Sequence, residues 1–310
     1  MTTIDLKSLL KIEDLKEGSG FSEPSIKINM GYDKNLYVLL KETAPPPIVQ
    51  GIVAFPNTNA DTKYCGIIYT IDWDRFTITK KKIIQIGELH LDYYQFLPLG
   101  DEYLLVACRS WNKKNGPEKN ALVIDKEGTK LREFCLGDGI SQTITTPDEK
   151  IITGYFDEGV FGNFGWNEPI GSCGLIAWDK NGNQVWRNNK YGIDDVYAMD
   201  YFKDNLYFYF YYDFNFVKTD FTNDKVFKIG EKGFNSFTIS DDESKIIVDG
   251  GYDNHSSFYV YEFGEGTGTN KQKVTFEING NKVENVYPVF LGNSKLIFEK
   301  DGQLYASNFI

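Results

Sequence analysis

The stretch DKNLYVLLKE, from Asp33 to Glu42, is the first of six similar segments in a chain of 310 residues. Each segment joins an acidic, Gly or Asn turn to a strand rich in β-branched and aromatic residues. The other five are GDEYLLVACR from Gly100, PDEKIITGYF from Pro147, KDNLYFYFYY from Lys203, DESKIIVDGG from Asp242 and GNSKLIFEKD from Gly292. Strand repeats spaced by about 50 residues predict a radial or solenoid all-β array rather than a mixed α/β enzyme.

Further alternating segments surround each copy, one before it and, in most copies, two after it. In the third copy QTITT precedes from Gln142, and GLIAWDKNG from Gly174 and NQVWRNN from Asn183 follow. Period-2 alternation bounded by Asp, Asn and Gly turns is typical of antiparallel strands joined by hairpins. Four such strands describe one blade, so six copies predict a single six-bladed β-propeller domain over residues 1–310. Seven blades are the alternative if the Pro-rich segment of the first copy contains two further strands.

The sixth copy is one strand short, because the sequence reaches Ile310 after three. We predict that an N-terminal segment within Thr3 to Ile12 supplies the missing outer strand and closes the ring, since an open blade would leave an unpaired edge. The alternative is a free helix, because DLKSLLKIEDLK from Asp5 also has helical spacing.

One segment carries a family resemblance. GLIAWDKNGNQVW, residues 174–186, resembles the strand–turn–strand element of WD-like and quinoprotein-like propeller blades, through Trp178, Asp179, Gly182 and Trp186. The resemblance covers about one blade; it supports the propeller superfamily and implies no cofactor. The run GYFDEGVFGNFGW, residues 154–166, is similar to segments of uncharacterised bacterial propeller proteins and implies no activity.

Charge and composition limit the partners. The chain has 44 acidic and 33 basic residues, a net charge of −11, which repels nucleic acid and attracts basic partners. It shows no signal-peptide pattern and no apolar stretch near the roughly 18 residues of a membrane span. We therefore expect a soluble cytoplasmic protein with no nucleic-acid or membrane partner. The four cysteines are far apart and are expected to be reduced. The sequence gives no indication of the oligomeric state.

Long loops are predicted on one face of the ring. The loop after the second strand of a blade opens on the same face as the connection into its first strand. On this face blades 1, 2 and 3 carry long segments, from Glu42 to Lys63, Arg109 to Asn120 and Asp157 to Ser172. Aromatic residues on such loops are typical anchors for a partner. The predicted anchors are Phe55, Trp111, Phe161, Phe164 and Trp166. Alternatively, these rings pack onto neighbouring blades and seal the channel.

Acidic and polar residues are predicted at the mouth of the central channel on the same face. They are Asp157, Glu158, Asp194, Asp195, Asp253 and His255. If they point inward, their oxygens form the ligand set that Ca²⁺ or Mg²⁺ prefers. Some six-bladed propeller lactonases and esterases hold a metal this way, but none of their signature motifs can be matched here. No cofactor is therefore assigned, calcium or magnesium being the open possibility; a water-filled, hydrogen-bonded channel is the alternative.

Nucleophilic catalysis has little support, since the chain has two histidines and no G-x-S-x-G motif. Whether the protein is an enzyme is left open. We predict a non-catalytic propeller that holds a protein partner; an acidic binder that neutralises a basic toxin or nuclease, as an immunity protein does, is one form of this. The alternative is a metal-assisted hydrolase or lyase that uses Glu158, Asp195, Asp253 and His255 at the channel mouth.

Overall fold

A computed structural model describes residues 1–42, 48–49, 52–53, 61–264 and 266–310 of the chain. The protein is all-β, and six four-stranded antiparallel blades form a ring, as the repeats predicted. The Pro-rich segment of blade 1 contains the short strands Ile48–Val49 and Ile52–Val53, which pair only with each other. The described residues therefore form six blades rather than seven. The four cysteines are not paired with one another in the structure.

The strands of each blade follow one another along the chain from the channel outward. Blade 1 consists of Ser25–Met30, Leu36–Lys41, Thr62–Asp72 and Thr77–Leu89, and blade 2 of Tyr93–Leu99, Glu102–Ala107, Ala121–Ile124 and Lys130–Phe134. Blade 3 consists of Ile140–Thr145, Ile151–Tyr155, Leu175–Trp178 and Gln184–Arg187, and blade 4 of Asp195–Phe202, Asn205–Tyr211, Phe216–Thr219 and Asp224–Phe227. Blade 5 consists of Phe237–Ile239, Lys245–Gly250, Asn254–Phe263 and Gly268–Ile278, and blade 6 of Tyr287–Gly292, Lys295–Lys300, Gln303–Asn308 and the N-terminal strand Lys7–Lys11.

Further short elements accompany these blades in the described residues. The loop of blade 2 contains a small hairpin of Asn112–Lys113 and Gly116–Pro117, and Asn281–Val283 pairs with the outer strand of blade 5. A 3-10 helix, Ile12–Lys16, follows the N-terminal strand of blade 6, and one turn of α-helix, Asp157–Phe161, follows the second strand of blade 3. In the described part of the chain, no helix is long and apolar enough to cross a membrane.

The N-terminal segment closes the ring. Strand Lys7–Lys11 pairs antiparallel with Gln303–Asn308 as the fourth strand of blade 6, which confirms the predicted closure. The preceding strand, Thr2–Asp5, pairs in parallel with the outer strand of blade 5, an addition that was not predicted. Ile4 and Leu6 are buried in the core between blades 5 and 6. The first residues of the chain therefore connect the last two blades.

The hydrophobic core is divided among the seams of the ring. Each of six clusters of buried side chains combines residues from two neighbouring blades, as Ile152 of blade 3 packs with Phe208 and Val217 of blade 4. Each second strand contributes to the seams on both sides, so it is apolar at successive positions rather than alternating. Leu36–Lys41 shows this pattern, with five consecutive buried residues.

The inner strands of all six blades line a central cavity of about 310 Å³. Asp200, on the inner strand of blade 4, borders this cavity and is fully buried. Its carboxylate accepts hydrogen bonds from the backbone N–H of Asn293 at 2.9 and 3.1 Å, which links blade 4 to a turn of blade 6. Burial raises the pKa of Asp200 to about 7. Folding therefore favours the protonated form of this carboxyl group.

Replacement of this group should change how stability depends on pH. The folded state binds the Asp200 proton more tightly than the unfolded state, so its stabilising effect is complete at low pH and is lost as pH rises towards 7. Between pH 5 and pH 8, the wild type should lose about 3 kcal/mol of unfolding free energy relative to Asp200→Asn. Urea unfolding of both proteins across this range measures the difference. Asp204→Asn, in an exposed turn of the same blade, is the control. A pH-independent difference for Asp200→Asn would contradict the assignment.

Candidate binding face

Six large aromatic side chains are exposed among the described residues, and all lie at one end of the propeller. They are Trp111, Phe161, Tyr211, Tyr212, Tyr252 and Tyr287. Each lies at or beyond the end of a second strand, or at the start of a first strand. Antiparallel order places these positions at the same end of a blade. The exposed large aliphatic residues within strands instead belong to outer strands: Ile83, Leu131, Val185 and Val226. We call the end with the six rings the aromatic face.

On this face the loops of blades 2 and 3 form one continuous surface. The backbone N–H of Asn112 donates to the carbonyl of Phe164 at 2.9 Å, and Trp166 Nε1 donates to the carbonyl of Ser110 at 2.6 Å. The Trp111 ring packs against the Phe164 ring with centroids 5.2 Å apart. The two loops therefore hold each other in place.

The predicted aromatic anchors differ in exposure. Trp111 is 47% exposed and Phe161 is 67% exposed, so both present apolar surface to solvent. Phe164 is half-buried, and Trp166 is only 8% exposed. Trp166 thus packs between the loops, as in the alternative that these rings pack onto neighbouring blades. Phe55 lies outside the described residues.

Arg109 organises the contact between the two loops. Its Nε and Nη2 atoms donate to the two carboxylate oxygens of buried Asp138 at 2.9 and 2.8 Å, and Nη1 donates to Glu158. The guanidinium carbon lies 4.1 Å from the centroid of the Phe164 ring. The hydrogen bond from Arg109 lowers the pKa of Glu158. Glu158, a predicted metal or catalytic residue, is therefore engaged in an ion pair that holds the loop.

A second pair of carboxylates lies nearer the channel. Asp195 is half-buried at the start of the inner strand of blade 4, directly opposite Tyr211 on the neighbouring strand. Burial, and then the charge of Asp157, raises the pKa of Asp195 to about 6. Asp194, beside it, donates its backbone N–H to the Tyr211 carbonyl at 3.0 Å. Asp157 thus disfavours the charged form of Asp195.

The loop of blade 5 is organised by a residue that was not predicted. Asp249 is fully buried and accepts hydrogen bonds from three backbone N–H groups at 2.8 Å and from Ser236 Oγ at 2.9 Å. His255 Nδ1 contacts Asp249 Oδ1 at 2.7 Å, the oxygen that also accepts the Gly251 N–H. Asp253 is exposed in the same loop. His255 is therefore a partner of a structural carboxylate.

The predicted channel-mouth residues fall into separate groups. Glu158 binds Arg109, His255 binds Asp249, and the charge of Asp157 acts on Asp195. Within the described ranges, no group of three or more His, Cys, Asp or Glu side chains is arranged to hold a metal ion. A calcium or magnesium site at the channel mouth stays a prediction.

The structure adds an aromatic cluster on blades 4 and 5 that was missed. Its members are Tyr197, Tyr211, Tyr212, Phe214 and Tyr252, which we call the tyrosine cluster. The Tyr197 and Tyr252 hydroxyl oxygens are 2.5 Å apart, and the Tyr197 and Tyr211 rings stack at 6.2 Å and 28°. Phe214 contacts the rings of Tyr211 and Tyr252 at 5.3 and 6.1 Å. Its signal in the sequence was the run YYDF, residues 211–214, which continues the aromatic pattern beyond the strand.

No protein-family model and no curated protein matches the chain. Among solved structures, Hsv2 from Kluyvelomyces marxianus has a TM-score of 0.51 at 8% identity, over 93% of this chain and 77% of that one. The Cps50 (Swd1) β-propeller domain from Myceliophteria thermophila has a TM-score of 0.47 at 9% identity, over 93% and 98%. YCF48 bound to D1 peptide has a TM-score of 0.45 at 10% identity, over 98% and 92%. At such low identity the likeness concerns the fold alone: the chain is a six-bladed β-propeller similar in architecture to Hsv2.

Proposed function

We propose that this protein is a non-catalytic interaction propeller whose aromatic face binds a protein partner. The observation that carries the proposal is the segregation of all six exposed aromatic side chains of the described residues to that face. Exposed aromatic residues grouped on one surface are typical of binding sites, whereas scattered exposed apolar residues are ordinary.

The loops on the aromatic face are held in place by side-chain contacts, which also supports binding. Arg109 and Trp166 hold the loops of blades 2 and 3 together, and Asp249 holds the loop of blade 5. A surface that is already ordered loses less conformational entropy when a partner binds. The long loops on this face therefore suit a stable interface.

Charge indicates the kind of partner. The chain carries a net charge of −11, and Asp157, Asp194, Asp195 and Asp253 lie on the aromatic face. A basic partner would associate faster with such a surface and would be preferred over an acidic one. A cytoplasmic, acidic binder that neutralises a basic toxin or nuclease, as an immunity protein does, is the specific form we propose.

The metal-assisted hydrolase or lyase is not favoured by any specific observation. Of its four proposed side chains, Glu158 is paired with Arg109 and His255 with Asp249. A general acid or base needs a proton-transferring group free to reach substrate. These pairings instead fit residues that hold loops for binding.

Partner capture followed by affinity measurement tests the proposal. The full chain, immobilised, is used to isolate a partner from an extract of the native host, and the purified partner is then titrated. Trp111→Ala and Tyr252→Ala should each weaken binding about 30-fold, the effect of losing an anchor worth about 2 kcal/mol. Because each of these side chains is about half exposed, the melting temperature should change by no more than a few degrees. Isothermal titration and thermal melts measure the two quantities.

Leu131→Ala is the matched control, since Leu131 is 46% exposed but lies on the outer strand of blade 2. It should leave the dissociation constant unchanged. If it weakens binding as much as Trp111→Ala does, or if neither aromatic variant weakens binding, the aromatic face is not the interface.

A further inference from the structure

The tyrosine cluster combines exposed aromatic rings with carboxylates. Tyr211, Tyr212 and Tyr252 are exposed on the surface of the cluster. Asp195 lies opposite Tyr211 in the strand register, and the charge of Asp157 acts on Asp195. Aromatic faces carry negative electrostatic potential, and so do the two carboxylates beside them. The exposed rings and Asp195 are therefore complementary to a cation.

The cluster already attracts a cation of the chain itself. Lys232 Nζ lies 5.6 Å from the centroid of the Phe214 ring, and Lys228 Nζ donates to the carbonyl of Asp213 at 2.9 Å. In the described part of the chain, the cation–ring contacts do not include Tyr211, Tyr212 or Tyr252. These three rings leave room for a cation supplied from outside.

The two carboxylates also favour an external cation. Asp157 and Asp195 repel each other, and Asp195 is half-buried. Tyr197 lies on the same strand as Asp195, Tyr211 lies opposite it, and Asp157 lies on the helix of blade 3. Among the described residues, the groups that shift the pKa of Asp195 include no cation. A positive charge placed between the two carboxylates would relieve their repulsion.

We propose that the tyrosine cluster, together with Asp157 and Asp195, binds arginine side chains of a basic partner segment. This inference rests on the proposed function and specifies the chemistry that its partner presents. Arginine fits better than lysine, because a planar guanidinium stacks on aromatic rings while its N–H groups donate to a carboxylate. A bare metal ion would leave the tyrosine rings without a role.

Peptide probes test the proposal on the full chain. Three short labelled peptides contain several arginines, lysines or citrullines at the same positions between glycine and serine. Citrulline has nearly the shape of arginine without its charge. Fluorescence anisotropy should show the arginine peptide binding at least tenfold more tightly than the citrulline peptide and several-fold more tightly than the lysine peptide. Equal binding of the arginine and citrulline peptides would overturn the proposal, and equal binding of arginine and lysine would overturn the preference for arginine.

Variants separate this site from the general acidity of the chain. Asp195→Asn and Tyr211→Leu should each weaken the arginine peptide at least fivefold. The control is Asp204→Asn, which removes the same charge from the same blade but lies in the exposed turn between its first and second strands, on the opposite face. An equal loss in Asp204→Asn would show that overall charge attracts the peptide. If one site variant fails to fold, the other decides.

The pH dependence gives an independent readout. Because the pKa of Asp195 is about 6 in the free protein, a bound guanidinium must lower it, and binding releases a proton. Affinity for the arginine peptide should therefore fall several-fold from pH 7.5 to pH 5, and this fall should be absent in Asp195→Asn. A fall that persists in Asp195→Asn would overturn the assignment to this carboxylate. If the chain shows no preference for the arginine peptide but Trp111→Ala still weakens partner binding, this site is rejected and the proposed function stands.

Discussion

Deletion of residues 1–11 is expected to lower the melting temperature by roughly 10–20 °C. The deletion removes the outer strand of blade 6 and the parallel strand on blade 5. It also removes Ile4 and Leu6 from the core between these blades, each worth about 2 kcal/mol of burial. The third strand of blade 6, Gln303–Asn308, would then become an open edge with unpaired backbone groups. Thermal melts followed by circular dichroism measure the effect.

Two comparisons identify the lost ladder as the cause. Lys7→Ala with Lys11→Ala keeps the backbone strand and changes only exposed side chains, so it should alter the melting temperature by no more than a few degrees. A synthetic peptide of residues 1–11, added to the truncated chain, should raise its melting temperature with increasing concentration. A truncated protein that melts within a few degrees of the full chain would show that the N-terminal strand does not hold the ring closed.

Trp166→Ala is expected to destabilise the protein by about 3–5 kcal/mol, the usual result of truncating a buried aromatic residue. Trp166 is almost fully buried, and its Nε1 donates to the carbonyl of Ser110 at 2.6 Å. The substitution leaves a cavity between the loops of blades 2 and 3 and removes this bond. Urea unfolding measures the loss. Trp166→Phe keeps an aromatic ring but not the N–H donor, so it should fall between the wild type and Trp166→Ala.

Trp111→Ala is the matched comparison, because the two tryptophans lie on loops that contact each other. Trp111 is about half exposed, so its truncation should cost no more than about 1 kcal/mol. Equal destabilisation by Trp111→Ala and Trp166→Ala would mean that both rings are packing residues. The aromatic face would then lose one of its anchors.

The sequence indicated the face on which candidate residues lie, but not the partners of their side chains. It placed Trp111, Phe161 and Asp195 on one face, because the order of antiparallel strands determines the end at which a loop emerges. It grouped Glu158 and His255 with a metal centre, whereas the structure pairs them with Arg109 and Asp249. Such pairings depend on which side chains meet across blades, and sequence spacing does not report this.

Two groups on the aromatic face illustrate the same limit. Arg109 and Asp138 are 29 residues apart and form a bidentate pair. The tyrosine cluster gathers the end of one strand, the start of another and a loop of the next blade, although blade 4 has only a short loop there. Loop length therefore did not predict where exposed aromatic residues lie. Exposure of individual rings was the informative quantity, and it becomes visible only after folding.

The sequence by itself determined the architecture of this protein. Alternating apolar residues, acidic and glycine turns and the six repeats specify four-stranded blades, because these signals act within a hairpin and need no distant partner. A missing strand in the last blade also predicted its N-terminal partner. Only the tertiary structure decided which aromatic residues are exposed, which carboxylates are neutralised and which remain free. Those properties follow from contacts between blades, because residues far apart in the chain are buried together where two blades meet. There, the partner of each side chain determines its charge and its exposure.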